Sequence, residues 1–249
     1  MNNKDYSLVL RACKANMSSR NGFVWPTTGP VECTDWNSIE ECGNGLHGWL
    51  HGHGDGDVSN YWSAGSRWLV VKVKNKHIID LDDKVKFKKG EVVFCGDRKD
   101  ATDYILANDP IAFTKPVIGA FITTGDHGTS TSGYYGTSIS GYHGTSTSGD
   151  YGISTSGYHG ISTSGDYGTS TSGDYGISIS GYHSTSASGK NGTSTSGNRG
   201  TSTSGDCGTI IIKYYKNGRS YLKVGYIGED SLEPNVAYKL DDNHNFVKA

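Results

Sequence analysis

The sequence predicts a mainly β protein in three parts. A small α+β domain occupies 1–119, a β-solenoid of octapeptide repeats 120–207, and a C-terminal β-hairpin cap 208–249. Three observations carry this prediction. An eight-residue unit, G-[T/I]-S-[T/I]-S-G-x-x, recurs ten times between 128 and 207 with hardly a change. Short runs rich in Val, Leu and Ile, bounded by turn residues, precede it. Asn217-Gly218 follows it, set between β-rich runs, and such a pair is the strongest short hairpin signal.

In the first part, SLVLRACKA (7–15), RWLVVKVK (67–74), HIIDL (77–81) and EVVFCG (91–96) read as strands. RKDATDYILA (98–107) places apolar residues at helical spacing and predicts one helix. The Trp-, Gly- and Pro-rich stretch between the first two strands reads as irregular. A compact domain with more sheet than helix follows.

The repeat is low in complexity, yet three features argue for a folded stack over disorder. The period is strict, the residues between glycines include β-branched Thr and Ile, and the ends turn apolar at Phe121, Ile122, Ile210, Ile211 and Ile212. AFITTGDH (120–127) is an imperfect unit before the ten, and GTIII (208–212) begins another. One octad is too short to close a coil, so two octads per coil are expected. Ten octads then make about five coils, a rod about 24 Å long at the strand spacing. Glycine at the corners is expected to supply the positive φ of tight reversals.

Strand alternation separates the two Ser positions from the two Thr/Ile positions. Ile replaces Thr at 139, 153, 161, 177 and 179, which suits a core, so Thr and Ile are expected inside. The opposite reading, a narrow interior that admits only Ser, stays open. Alternate octads stack, so one edge displays Tyr135, Tyr151, Tyr167 and His183, and the other His143, His159, Tyr175 and Asn191. Such ridges are a candidate surface for sugars or another protein; the simpler reading is a ladder that shields the corners. After 207, IIIKYYKNGRSYLKV forms the hairpin, EPNVAYKL a further strand, and DDNHN a turn into FVKA, together closing the solenoid's open end.

A net charge of −2 gives no electrostatic footprint for nucleic acid or anionic membrane. A protein or carbohydrate surface is therefore the expected partner, and a sticky edge leaves homo-oligomers open. The opening MNNKDYSLVLRACKANMSS has no basic lead into an apolar run, and no stretch approaches a membrane span, so a host cytoplasm or a virion is expected. The five cysteines lack CxxC spacing and read as reduced thiols.

HGWLHGHGDGD (47–57) is the dense cluster of potential ligands. His47, His51, His53, Asp55 and Asp57 combine imidazole and carboxylate groups that suit a divalent ion such as Zn²⁺. The spacing matches neither HExxH nor a zinc finger nor a calcium loop, so no cofactor is expected and a decorated glycine loop is the plainer reading. Cys33 or Cys42 with His47 is a nucleophile reading that nothing in the sequence brings together. No P-loop, GxSxG or dinucleotide fingerprint occurs, and the five tryptophans read as packing.

GFVWPTTGPVECTDWN (22–37), GNGLHGWLHGHGDGD (43–57) and KVKFKKGEVVFCGDRKDA (84–101) resemble an uncharacterised domain of bacteria, their phages and large DNA viruses. In that family a similar domain precedes short Ser/Thr/Gly repeats, and EPNVAYKLDDNHNFVKA (233–249) resembles the strand pair that closes those chains. The resemblance implies architecture and a viral or mobile-element setting, with no catalytic residues to carry over. The Thr-x-Thr pattern also resembles ice-binding solenoids, and the small-residue coils resemble trimeric adhesin heads; fold alone does not set function. The expectation is a non-enzymatic structural or interaction protein, a viral or phage accessory or virion component whose solenoid spaces or presents a binding surface. The alternatives are an enzyme or metal site around His47, and ice binding through the Thr rows.

Overall fold

The computed structural model describes residues 5–19, 22–59, 61–63 and 65–249. Residues 1–4 of the opening stretch MNNKDYSLVLRACKANMSS lie outside them. The chain divides into two compact units, the first ending at Ala120 and the second running Phe121–Ala249.

The first unit is built on a seven-stranded antiparallel sheet among the described residues. Its strands are β1 (Tyr6–Cys13), β2 (Gly29–Glu32), β3 (Leu46–Leu50), β4 (Arg67–Lys74), β5 (Ile78–Asp80), β6 (Val85–Phe87) and β7 (Lys89–Gly96). They lie in the order β2-β7-β4-β1-β3-β6-β5. Period-two burial puts Val9, Cys13, Leu69, Val71 and Val73 in one core with Trp25, Val31 and Phe87. Leu10, Ala12, Trp68 and Val70 are buried on the other face. There the helix α1 (Arg98–Asn108) lies across β4, β1 and β7 and buries Ala101, Thr102 and Ile105. Asp97 caps α1 by accepting the Asp100 N–H at 2.9 Å.

The stretch expected to be irregular contains β2 and β3. Leu46–Leu50 forms an inner strand, where Gly48 is required by close approach. A Cβ there would stand 2.5 Å from Val9 Cγ1 and 2.6 Å from the Leu10 carbonyl oxygen. Trp49 is buried 5.8 Å from Trp68 and 6.0 Å from Trp62, ring centre to ring centre. A strand whose glycine and histidine interrupt the apolar run is invisible to alternation counting.

The second unit is the solenoid with its cap. Its strands alternate between two parallel ladders, and each residue pairs in register with the one a coil later, as Ile153 does with Thr169 and Ile161 with Ile177. Among the described residues each ladder holds six solenoid strands, from Phe121–Thr123 to Thr201–Ser204 in one and from Thr129–Thr131 to Thr209–Lys216 in the other. The solenoid therefore has six coils rather than five. The imperfect units at both ends continue the ladder, because backbone pairing is indifferent to side-chain identity.

The interior is serine. Ser130, Ser138, Ser146, Ser154, Ser162, Ser170, Ser178, Ser186, Ser194 and Ser202 are all 0% exposed, whereas the Thr and Ile between them face outward. The expectation of Thr and Ile inside is overturned, for a steric reason. Two strands joined by such short corners face each other too closely for a β-branched side chain. Some of these hydroxyls bond across the core: Ser138 Oγ donates to the Thr147 carbonyl at 2.6 Å, and Ser146 Oγ to Thr155 at 2.6 Å, whereas the Oγ atoms of Ser154 and Ser162 have no partner among the described residues. Farther along, Ser170 donates to Ser162 at 2.8 Å and Ser194 to Ser186 at 2.9 Å. Where the last coil opens, the inward register Ser194–Ser196 pairs with Ile210–Ile212. Ile210 then packs with Ile227, Leu232 and Tyr238 as the core of the cap.

The corner glycines do not carry positive φ. Among the described residues no glycine between 119 and 218 has it; the second corner residue does, at 53° for Tyr135, 54° for Tyr151 and 52° for His183. Glycine is there for room. A Cβ on Gly136 would lie 2.5 Å from Ser132 Cβ, and one on Gly157 would lie 2.8 Å from the Gly141 carbonyl carbon of the previous coil. Ser184 takes a glycine position in one octad, and its Oγ accepts the Gly168 N–H at 3.2 Å.

The cap follows the expected pattern. Thr209–Lys216 and Arg219–Tyr226 pair antiparallel through a turn in which Asn217 (48°) and Gly218 (74°) both have positive φ. Tyr238–Leu240 pairs with Phe246–Lys248 and adds antiparallel to the end strand Thr201–Ser204.

The inward and outward positions should respond oppositely to the same change. Ser170→Val is expected to lower stability by about 1–3 kcal/mol through overpacking. Thr171→Val, one residue away and facing out, should cost less than about 0.5 kcal/mol. Urea denaturation followed by circular dichroism measures both.

Candidate functional site

Because the ladders are in register, each outward side chain stands directly over its counterpart one coil away. On the ladder that begins at Phe121 the first outward row is Thr137, Ile153, Thr169, Thr185 and Thr201; the second is Ile139, Thr155, Thr171, Ala187 and Thr203. On the other ladder the rows are Thr129, Thr145, Ile161, Ile177, Thr193 and Thr131, Thr147, Thr163, Ile179, Thr195. Rows repeat at about 4.8 Å between strands and about 6.6 Å along a strand. The result is a regular array of hydroxyls and γ-methyls. It is held rigid because every strand is hydrogen-bonded on both sides except at the ladder ends.

The corners form two further rows. Tyr135 stacks on Tyr151 at 5.0 Å, Tyr151 on Tyr167 at 5.0 Å, and Tyr167 on His183 at 5.6 Å between ring centres. On the opposite edge His143 stacks on His159 at 4.9 Å and His159 on Tyr175 at 5.1 Å, with Asn191 next in the row. His127, from the imperfect first unit, stacks on His143 at 5.3 Å and extends that row. These rings sit on left-handed backbone that costs a non-glycine residue roughly 1 kcal/mol. Stacking of about 0.5–1.5 kcal/mol per pair offsets that cost.

Sequence reasoning missed the residue before each ring. Asp126 Oδ1 accepts the Tyr142 N–H at 2.9 Å, Asp150 that of Asp166 at 2.8 Å, and Asp174 that of Lys190 at 2.7 Å. Each carboxylate satisfies a corner donor one coil away. The recurring Asp of the GDH and GDY corners was its visible signal.

In the first unit, the five residues of the 47–57 cluster do not all converge, although the rings of His51 and His53 lie 6.1 Å apart. His51 Nδ1 lies 2.6 Å from Asp109 Oδ2, and His53 Nε2 lies 3.0 Å from the Ala112 carbonyl oxygen. Asp55 accepts the Asp57 N–H at 2.9 Å and caps a short 3₁₀ turn. His47 Nε2 accepts the Gly43 N–H at 3.4 Å. Among the described residues no three His, Cys, Asp or Glu side chains converge as a metal centre requires. Burial, then the charges of Lys84, Arg11 and Lys86, depress the His47 pKa to about 4.

Residues 7–105 match the family described as Domain of unknown function (DUF7666). The chain is also similar to bacterial ice nucleation proteins. It is 40% identical over 107 residues to one from Xanthomonas campestris pv. translucens, covering 42% of this chain and 7% of the relative. It is 42% identical over 109 residues to one from Pseudomonas syringae pv. syringae, covering 42% of this chain and 9% of that protein. With ice nucleation protein InaU of Pantoea ananas the identity is 34% over 121 residues, covering 47% of this chain and 12% of the relative. The chain thus spans a small fraction of the length of these relatives. No solved structure matches it. The expectation of a viral or phage accessory protein is overturned by these relatives, which favour the ice-binding alternative. Among the described residues no helix is long and apolar enough to cross a membrane.

Two outcomes test this geometry. Tyr151→Ala removes two stacked neighbours and should cost about 1–3 kcal/mol in urea unfolding, and Tyr151→Gly, which relieves the left-handed backbone, should cost less than Tyr151→Ala. For His47 the folded state favours the neutral ring, so the unfolded chain takes up the proton first. Stability of the first unit should be full above pH 6.5 and fall as pH drops from there towards about 4. His47→Gln should flatten that slope, read from tryptophan-monitored denaturation across the pH range.

Proposed function

We propose that this chain binds ice through the outward Thr rows of its solenoid. The observation that carries the reading is the in-register stack, which sets hydroxyls and methyls on a two-dimensional grid of about 4.8 by 6.6 Å. Both spacings are on the scale of the oxygen repeats in hexagonal ice. A single Thr holds water weakly, but a rigid grid orders many waters at once without a further loss of side-chain entropy on binding. The similarity to proteins named for ice nucleation supports the same reading.

The ladder that begins at Phe121 is the better ice face. Thr155, Thr169, Thr171, Thr185, Thr201 and Thr203 form a block interrupted only by Ala187. The other ladder is broken in its middle by Ile161, Ile177 and Ile179. Six coils extend about 29 Å along the stack. A template of this size holds a small patch of ordered water, so the activity expected is adsorption to a growing ice surface.

The full chain should shape ice crystals into facets and produce a gap between melting and freezing temperatures in a nanolitre osmometer. Thr171→Tyr, which raises a bulky ring from the middle of the block, should remove most of that gap, and Thr147→Tyr on the other ladder should leave most of it. Round ice discs with no gap in the unaltered chain would sink the proposal; equal loss from both variants would sink the choice of face.

A further inference from the structure

The first unit contains a cavity of about 390 Å³, within the range of small-molecule sites. Its lining includes Arg11, Phe23, Trp25, His47, Trp49 and Tyr61. Arg11 is the anomaly. Strand alternation places it on the core face of β1, between Val9 and Cys13, both fully buried. A guanidinium does not belong on such a face unless something compensates its charge.

No carboxylate does so among the described residues. Asp35 is the one carboxylate on the lining, and it is exposed and makes no ion pair with Arg11. Arg11 Nη1 donates to the His47 carbonyl at 3.3 Å, and the cation lies 5.5 Å from the ring centre of Trp25 and 5.9 Å from that of Tyr61. Its buried Nε–H has no acceptor among the described residues, and neither does the buried indole N–H of Trp25. A buried donor without a partner is destabilising, because it has given up its water and gained nothing in return. Both belong to residues on the lining of the same cavity, one of them a cation. Lys84 stands on the lining as well, a second cation beside Arg11.

We propose that this cavity binds a small anion carried on a flat ring. The carboxylate or phosphate is held by Arg11 Nε–H and Trp25 Nε1–H, and the ring packs between Phe23 and Tyr61. The two donors provide the anion's hydrogen bonds, and the anion's charge offsets that of the guanidinium. The aromatic walls select a planar body over a bare ion. This site is independent of the solenoid and of ice.

All five tryptophans lie in the first unit, so their fluorescence reports on it alone in the full chain. The probes are benzoate, adenosine monophosphate, inorganic phosphate and neutral benzamide, titrated at matched ionic strength. Benzoate or adenosine monophosphate should saturate the fluorescence change and raise the tryptophan-monitored melting temperature; which of them binds tighter distinguishes a carboxylate from a phosphate ligand. Phosphate alone and benzamide should bind at least about tenfold more weakly, a difference of one RT ln 10 step. Arg11→Met should fold, with a melting temperature at or above that of the unaltered chain, because a half-buried cation with no ion pair gives way to an apolar side chain of similar length. It should also lose the response to the ring-bearing anions. If Arg11→Met fails to fold, Trp25→Phe, which deletes only the indole N–H and keeps an aromatic wall, carries the test and should weaken binding. No response to any probe, equal binding of benzamide and benzoate, or undiminished binding by the variant that folds overturns the proposal and leaves Arg11 as a structural cation–π clamp.

Discussion

The in-register parallel ladder is the constraint on which the second unit depends. Once Ile153 pairs with Thr169 and that residue with Thr185, every position of the repeat is stacked on its own kind. Burial, corner geometry and surface pattern all follow from that register. Serine lines the interior because the coil is too thin for anything larger. Thr and Ile are displaced outward into rows, and the corner rings fall one above another close enough to stack. A slip of one residue along a strand would exchange the two faces and drive Thr into a space that admits only Ser.

This core inverts the usual source of stability. A narrow stack of hydroxyls buries little apolar surface, so backbone hydrogen bonding, short-range packing and the corner ladders must hold it. The apolar residues are concentrated at the cap, where Ile210 meets Ile227, Leu232 and Tyr238 and the ladder's last open edge is covered by antiparallel strands. A terminal strand left bare would be a template for another chain. The cap therefore provides both an ordinary core and an end to propagation. The unpaired outer face, relieved of any part in packing, is free to take a pattern suited to ordered water.

The first unit follows different physics. Its sheet has two genuine apolar faces, and Trp49, Trp62 and Trp68 pack against one another. On that background a lone guanidinium and an orphaned indole N–H stand out as chemistry that packing does not explain. The two units thus present different surfaces, a repetitive one built by register and a singular one built by a pocket.

Much of this was legible in the sequence. The strict period, the Asn217-Gly218 turn and the β-rich runs around 7–15, 67–74 and 91–96 led to a sheet domain, a solenoid of two octads per coil and a hairpin cap, because such signals are local and depend on backbone geometry. The stacking partners of Tyr135 and His143 were also readable, since they follow from the period alone. Other features were not. The choice between Ser and Thr for the interior turns on the distance between two facing strands, which no residue pattern encodes. The role of the corner glycines, room for a neighbouring coil rather than positive φ, depends on contacts sixteen residues away. His47, His51, His53 and Asp55 look like one cluster in sequence, yet the fold sends each to a different partner. Arg11 looks like an ordinary interruption of a strand until the sheet shows which face it occupies. Sequence determined the repeat and its period; only the tertiary structure decided what lies inside, because burial is set by the distances between strands that the chain brings together from afar.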